Sequence, residues 1–238
     1  EDRNTIIESC IEYNYKVFMA PIISNFENSK NIVKEIKNFE ITDLLERNPI
    51  ILDTNLIELK LNKKTILITG AAGSIGSEIV RQILNYDAEK IVLIDQAETP
   101  LHHLVLELKS LNTNLKIDTI IADIRNFEIT EQIFKKTRPN IVFHAAAYKH
   151  VPLMEENPNQ AILTNVLGTK NIADLSLKYN VADFVMISTD KAVNPSSIMG
   201  ASKRIAEMYV QSKHFNILSS KTENSTKFIT TRFGNVLG

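Results

Sequence analysis

The chain has 238 residues, 44% hydrophobic and 23% charged, with a formal net charge of -1. It can bury one α/β domain with material left over, and it lacks the concentrated basic face that a nucleic-acid partner favours. A single cysteine, Cys10, excludes an internal disulfide and fits a reducing compartment.

Cys10 falls on an amphipathic helix and reads as a packed residue rather than a nucleophile. No apolar run approaches the ~20 residues that span a bilayer, and no signal peptide is visible. The chain starts at Glu1 and stops at Gly238 just after a strand-like segment, so the expectation is a fragment cut at both ends.

Residues 1–47 read as a helix (4–15), a strand (16–20), a polar loop and a second helix (32–47). One strand and two helices cannot bury a core alone, so this segment is expected to end an upstream α/β domain. Asn48-Pro49 breaks the second helix, because a residue before proline is pushed out of the helical region. Residues 48–62 then read as a linker. From Lys63 onward the pattern becomes regular. Strands are predicted at 65–69, 90–95, 116–122, 141–145, 183–188 and 227–232. Helices are predicted between them at 75–85, 99–111, 127–137, 158–179 and 199–215. Strands alternating with helices of this length imply right-handed crossovers. The expected fold over 63–238 is therefore α/β, a Rossmann-like doubly wound parallel sheet.

The first of these strands runs into Gly70-Ala71-Ala72-Gly73-Ser74-Ile75-Gly76, and a helix follows. Glycines there permit a tight turn, let the backbone approach a pyrophosphate and let the helix pack on the strand. Asp95 ends the second strand nineteen residues past Gly76, close to the ~20 expected for a carboxylate that holds the adenosine ribose. Its charge would repel a 2′-phosphate and no arginine follows it, so NAD is favoured, with NADP the alternative. Asp123, in Ala122-Asp123-Ile124-Arg125 at the end of the third strand, is placed to accept from the adenine amino group or to cap the next helix. Ile124 belongs to the same edge. Ala145 and Ala146 follow the fourth strand, where small side chains leave room for a cofactor crossing the carboxyl edge of the sheet.

The motifs Gly70–Gly76, His144-Ala-Ala-Ala-Tyr-Lys-His-Val-Pro-Leu-Met-Glu155, Ser188-Thr-Asp-Lys-Ala-Val-Asn-Pro195, Met199-Gly-Ala-Ser-Lys203 and Arg232-Phe-Gly-Asn-Val236 occur in this order. Together they resemble the UDP-N-acetylglucosamine 4,6-dehydratases of polysaccharide biosynthesis, within the extended short-chain dehydrogenase/reductases. The resemblance covers roughly residue 50 to the end. Residues before it resemble the last part of the nucleotide-fold domain that precedes the catalytic domain in large, membrane-anchored members.

The resemblance implies a lyase that oxidises C4 of a UDP-sugar, eliminates water across C5 and C6, and returns the hydride to C6. It makes Asp190 the acid to the C6 hydroxyl and Lys191 the base at C5, with Thr189 or the pair taking the C4 proton. Lys203 would hold the nicotinamide ribose and lend Lys191 a neighbouring cation. Met199 stands where the wider superfamily carries its catalytic tyrosine, four residues before that lysine and on the same helix face. A thioether cannot titrate, so a simple epimerase or alcohol dehydrogenase mechanism is disfavoured.

Lys149 and His150 are candidates to reach the sugar or diphosphate, or else are exposed loop residues. Asn165 is counted with the substrate residues and expected to steady the active-site backbone from a long helix; Asn235 is a further sugar-nucleotide candidate. No cluster has metal-ligand spacing, so no metal is expected. Family members continue into a smaller substrate domain, so this stretch alone is expected to hold NAD yet turn over poorly. A homo-oligomer is expected, as is a location on the cytoplasmic face of the bacterial inner membrane through segments outside the chain. The alternatives are a nucleotide-sugar epimerase or reductase, and a non-catalytic dinucleotide-binding regulatory module.

Overall fold

The computed structural model describes residues 52–111, 115–220 and 226–234, together with two short strands nearer the start of the chain. Those strands, β1 (Phe18–Met19) and β2 (Lys37–Asn38), pair antiparallel, Phe18 opposite Asn38 and Met19 opposite Lys37. β1 lies within the strand expected at 16–20. β2 falls inside the helix expected at 32–47 and corrects it at those two positions, because backbone pairing with a distant strand overrode local helical periodicity. The rest of the expected upstream elements, with Cys10, lie outside the described residues.

The chain divides into two units, Glu1–Leu52 with Leu237–Gly238, and Asp53–Val236. The larger begins with α1 (Thr54–Leu61), inside the stretch read as a linker. Asp53 caps this helix by accepting from the Leu56 amide at 3.1 Å. Leu61 at its last turn is buried against Ile66, Ile83 and Ile91. A tether with a cap at one end and a core residue at the other becomes part of the domain.

Six parallel strands follow: β3 (Thr65–Thr69), β4 (Lys90–Asp95), β5 (Lys116–Ile121), β6 (Ile141–His144), β7 (Asp183–Thr189) and β8 (Lys227–Phe233). Their spatial order is β5-β4-β3-β6-β7-β8. The order reverses between β3 and β6, which is the switch point where open α/β sheets bind ligands. Side chains alternate faces along each strand. Ile66, Ile68, Ile91 and Leu93 therefore join a core with α2 (Ser74–Ile83) and α3 (Glu98–Ser110), through Val80, Leu101, Leu104 and Leu108. Leu67, Val92, Val142, Phe184 and Met186 face the other way. There they meet α4 (Phe127–Thr137) through Phe134, α7 (Thr169–Lys178) through Ile172 and Leu175, and α8 (Ile198–Ser220) through Val210.

The connection from β6 to β7 holds α5 (Val151–Glu156), α6 (Pro158–Ala161), a π-helical segment Ile162–Gly168, and α7. The helix expected over 158–179 is thus interrupted by a wider turn. Among the described residues no helix is long and apolar enough to cross a membrane.

Candidate functional site

The loop after β3 depends on close backbone approach. Gly70 has φ +65, and a Cβ there would lie 2.6 Å from the Ala146 Cα and N, so only glycine lets the ends of β3 and β6 come this near. At Gly76 a Cβ would fall 2.0 Å from the Gly70 carbonyl oxygen, which seats α2 directly on the loop. Gly73 is the N-cap of α2 and no side chain caps that terminus. Amides at the start of such a helix face outward with the positive end of its dipole.

A cleft of about 260 Å³ opens beside this loop, between the carboxyl ends of β4, β3 and β6. Gly70, Ala72 and Gly73 form one wall, and Asp95, Gln96, Ala97 and Pro100 a second. Ala122, Ile124, Ala145, Ala146, Ala147, Tyr148 and Thr164 close the rest. Asp95 accepts from the Ala72 amide at 2.9 Å and from the Ala97 amide at 2.9 Å. Each carboxylate oxygen keeps a second lone pair, so Asp95 ties the loop to β4 and still presents acceptors to the cleft.

Asp123 is engaged within its own loop. Its carboxylate accepts from the Arg125 Nε at 2.6 Å and the Arg125 amide at 2.9 Å, and it is not part of the cleft wall. Burial opposes its charge, but those Arg125 bonds hold it below the ordinary carboxylate range. Asn126, not Asp123, caps α4, accepting from the Ile129 amide at 3.0 Å. The neighbouring Ile124 does line the cleft.

Further along the same sheet edge, His144 pairs with Thr69 on one side and Met186 on the other. Ile187 is therefore level with Gly70 and Ala145, and β7 reaches two residues beyond. Adjacent strands lie ~4.8 Å apart, which puts the end of β7 about 10 Å across from the glycine loop. Thr189 is its last residue, and Asp190 and Lys191 form the 3-10 turn that follows. Asp190 accepts from Thr189 Oγ1 at 3.0 Å and from Lys191 Nζ at 3.3 Å. These two hydrogen bonds, Thr189's the stronger, hold its carboxyl below the usual range. Both side chains of the pair are exposed, 55% for Asp190 and 44% for Lys191. They share the sheet edge with the cleft but do not line it.

Lys203 is buried on α8 and donates to the Ile187 carbonyl at 2.7 Å. Burial pushes its ammonium down to about 8, against the opposing pull of the Glu207 carboxylate. Glu207, fully buried one turn later, accepts from Arg232 at 2.9 and 2.7 Å and from Arg204 at 3.2 Å. His144 is likewise buried, its ring between the hydroxyls of Thr69 at 2.7 Å and Thr169 at 2.8 Å. Burial, with the Lys203 charge behind it, pushes this imidazole down to about 3, so it is neutral.

Met199 is 3% exposed and packs with Met154 and Ala161, so its role here is apolar packing beneath the edge. Asn165 is fully buried. Its carbonyl accepts from the Tyr148 amide at 2.8 Å, and its amide donates to the Tyr148 carbonyl at 3.0 Å and to Ser202 at 2.9 Å. That geometry fixes the cleft backbone at Tyr148, a positioning role. Lys149 and His150 are exposed and outside the cleft wall. Asn235 lies outside the described residues.

Tyr148 and Thr164 are among the cleft residues to which the sequence assigned no role. The signal for Thr164 was legible: the inward stripe Ala161, Thr164, Asn165, Gly168, Thr169 carries polar residues where an amphipathic helix places apolar ones.

The family model described as polysaccharide biosynthesis protein matches residues 66–238. The chain is 44% identical over 236 residues to the capsular polysaccharide biosynthesis protein CapD of Staphylococcus aureus, covering 99% of this chain and 38% of that protein. It is 35% identical over 178 residues to a UDP-N-acetylglucosamine 4,6-dehydratase (inverting) of Campylobacter jejuni, covering 74% of this chain and 50% of that one. A solved Thermus thermophilus UDP-glucose 4-epimerase in complex with NAD superposes with a TM-score of 0.63 at 27% identity, covering 73% of this chain and 56% of the epimerase. The chain thus spans between about a third and about half the length of these proteins. With the switch-point cleft, the glycine loop and a match over the whole parallel sheet, the chain belongs to the polysaccharide biosynthesis protein family.

Proposed function

We propose that the protein is an NAD-dependent nucleotide-sugar 4,6-dehydratase acting on UDP-N-acetylglucosamine in surface-glycan biosynthesis. The observation that carries this reading is the Asp190–Lys191 pair, hydrogen-bonded at the carboxyl end of β7, above a buried Met199 that cannot titrate.

The residues present fit a dinucleotide. Gly70 and Gly76 draw the loop and helix close together, Gly73 keeps the helix terminus clear of a side chain, and the uncapped amides of Ser74, Ile75 and Gly76 can supply a pyrophosphate's donors. Asp95 suits a ribose diol and disfavours the 2′-phosphate of NADP, while Ala145 and Ala146 floor the crossing. Lys203 supplies a cation beside Ile187. NAD, when bound, takes hydride from the sugar C4 and returns it to C6.

The chain's own side chains then move protons. The C4 hydroxyl proton leaves through Thr189 or the Asp190–Lys191 pair. Lys191 takes the C5 proton, Asp190 protonates the C6 hydroxyl as it departs as water, and once hydride has returned to C6 the protonated Lys191, exchanged with solvent, gives a proton back to C5. In the free protein Lys191 Nζ and Asp190 Oδ1 are 3.3 Å apart, and a bound sugar nucleotide would exclude water from the pair.

Similarity to a UDP-glucose 4-epimerase keeps as the runner-up a 4-epimerase, which needs no acid at C6. Solvent deuterium separates the two. NMR of the full-length gene product with UDP-N-acetylglucosamine in D2O is expected to give a 4-keto-6-deoxy product with deuterium at C5. A C4 epimer without deuterium would replace the dehydratase by the epimerase, and no product would leave a binding module.

A further inference from the structure

We propose that Gly200 is a positioning residue for the proton-transfer pair, the place on α8 where the turn carrying Asp190 and Lys191 rests. The proposal rests on the dehydratase reading above and deepens it. A Cβ at Gly200 would lie 2.4 Å from the Lys191 carbonyl oxygen and 3.3 Å from its carbonyl carbon. Both are backbone atoms, so no side-chain rotation makes room for it. The turn itself would have to move.

The local backbone does not ask for glycine here. Gly200 is the third residue of α8, its φ is not positive, and alanine is the better helix former. The platform is fixed independently of the turn. Ser197 Oγ accepts from the Gly200 amide at 3.1 Å, and Glu155, at the end of α5, accepts from the Ile198 amide at 2.7 Å. Met199 beside them packs against Met154 and Ala161. The turn is closed by the Val193 amide donating to the Asp190 carbonyl at 3.0 Å, and Ala192 within it is fully buried. The side chains of Asp190 and Lys191 are exposed, so where they stand is set by the backbone that carries them. That backbone meets α8 at Gly200.

The test is Gly200→Ala in the full-length gene product, read against wild type with UDP-N-acetylglucosamine in D2O. Relieving the contact displaces Lys191 by about 1 Å, a misplacement that costs about 100-fold in rate. Dehydration kcat, and deuterium entry at C5 with it, are expected to fall about 100-fold. KM for the sugar nucleotide and NAD affinity by titration calorimetry are expected to stay near wild type, a split that a merely structural glycine would not produce. The melting temperature is expected to change little, because the turn lies at the surface and can shift outward while alanine strengthens the helix. Unchanged kcat in Gly200→Ala overturns the proposal, as does a loss of kcat matched by losses of NAD affinity and melting temperature. Should Gly200→Ala fail to fold, Ser197→Ala decides: it adds no atoms and loosens the first turn of α8. A lower kcat at wild-type KM then supports the proposal, and an unchanged kcat overturns it. A wild-type protein that forms no dehydrated product overturns the dehydratase reading as well.

Discussion

Replacing Gly70 with alanine tests whether the cleft depends on the contact between the ends of β3 and β6. A Cβ at this position meets the Ala146 Cα and N at 2.6 Å and the Ala145 carbonyl carbon at 2.8 Å, all backbone atoms that cannot rotate away. The left-handed backbone adds about 1 kcal/mol for any residue with a side chain, and overpacking against a fixed neighbour adds about 2 kcal/mol. The sum, about 3 kcal/mol, corresponds to a fall in melting temperature of roughly 6 to 12 °C for a domain of this size. Gly73→Ala is the control. Gly73 has φ -72, which alanine adopts freely, and its Cβ would meet only the Gly70 carbonyl oxygen, at 3.3 Å. Its stability is expected to change by less than about 1 kcal/mol, while NAD affinity falls because the added methyl stands at the uncapped helix terminus. Circular dichroism melts and calorimetric NAD titration of both variants give the comparison. A Gly70→Ala protein that melts with wild type, or a Gly73→Ala protein that melts as low as Gly70→Ala, would refute the reasoning.

Three further outcomes follow from the buried charges and the exposed pair. Lys203 falls from 10.5 to about 8 on folding, so the native state binds fewer protons than the unfolded chain between those values, and stability rises with pH across that window. Urea unfolding at pH 7 and pH 10.5 should show wild type gaining up to about 3 kcal/mol on Lys203→Met; a pH-independent difference contradicts it. His144 falls from 6.5 to about 3, so its contribution is present above pH 6.5 and lost as pH drops toward 3. His144→Gln is expected to flatten the acid limb of the stability profile, and an unchanged limb rules this out. Asp190→Asn removes an exposed carboxylate that holds nothing but Thr189 and Lys191. It should abolish water elimination while leaving NAD affinity and melting temperature near wild type, and retained elimination would remove Asp190 from the mechanism.

The chain by itself determined the strands, because a parallel sheet covered on both faces demands continuous apolar runs, and 65–69 and 90–95 have no other use. It also determined α4, since Asn126 caps a helix that ends where Arg138 turns left-handed at φ 46. The glycine loop was legible for the same reason: its chemistry is local. Tertiary structure alone decided what depended on distant partners. His144 meets Thr69 across 75 residues, and Glu207 meets Arg232 across 25. Asn165 became the clasp on Tyr148, and Thr164 beside it was left without a partner in the protein. Hydrophobic periodicity reports which face is buried, but not which polar groups meet there, because those pairings form only when separate strands and helices converge on one sheet edge.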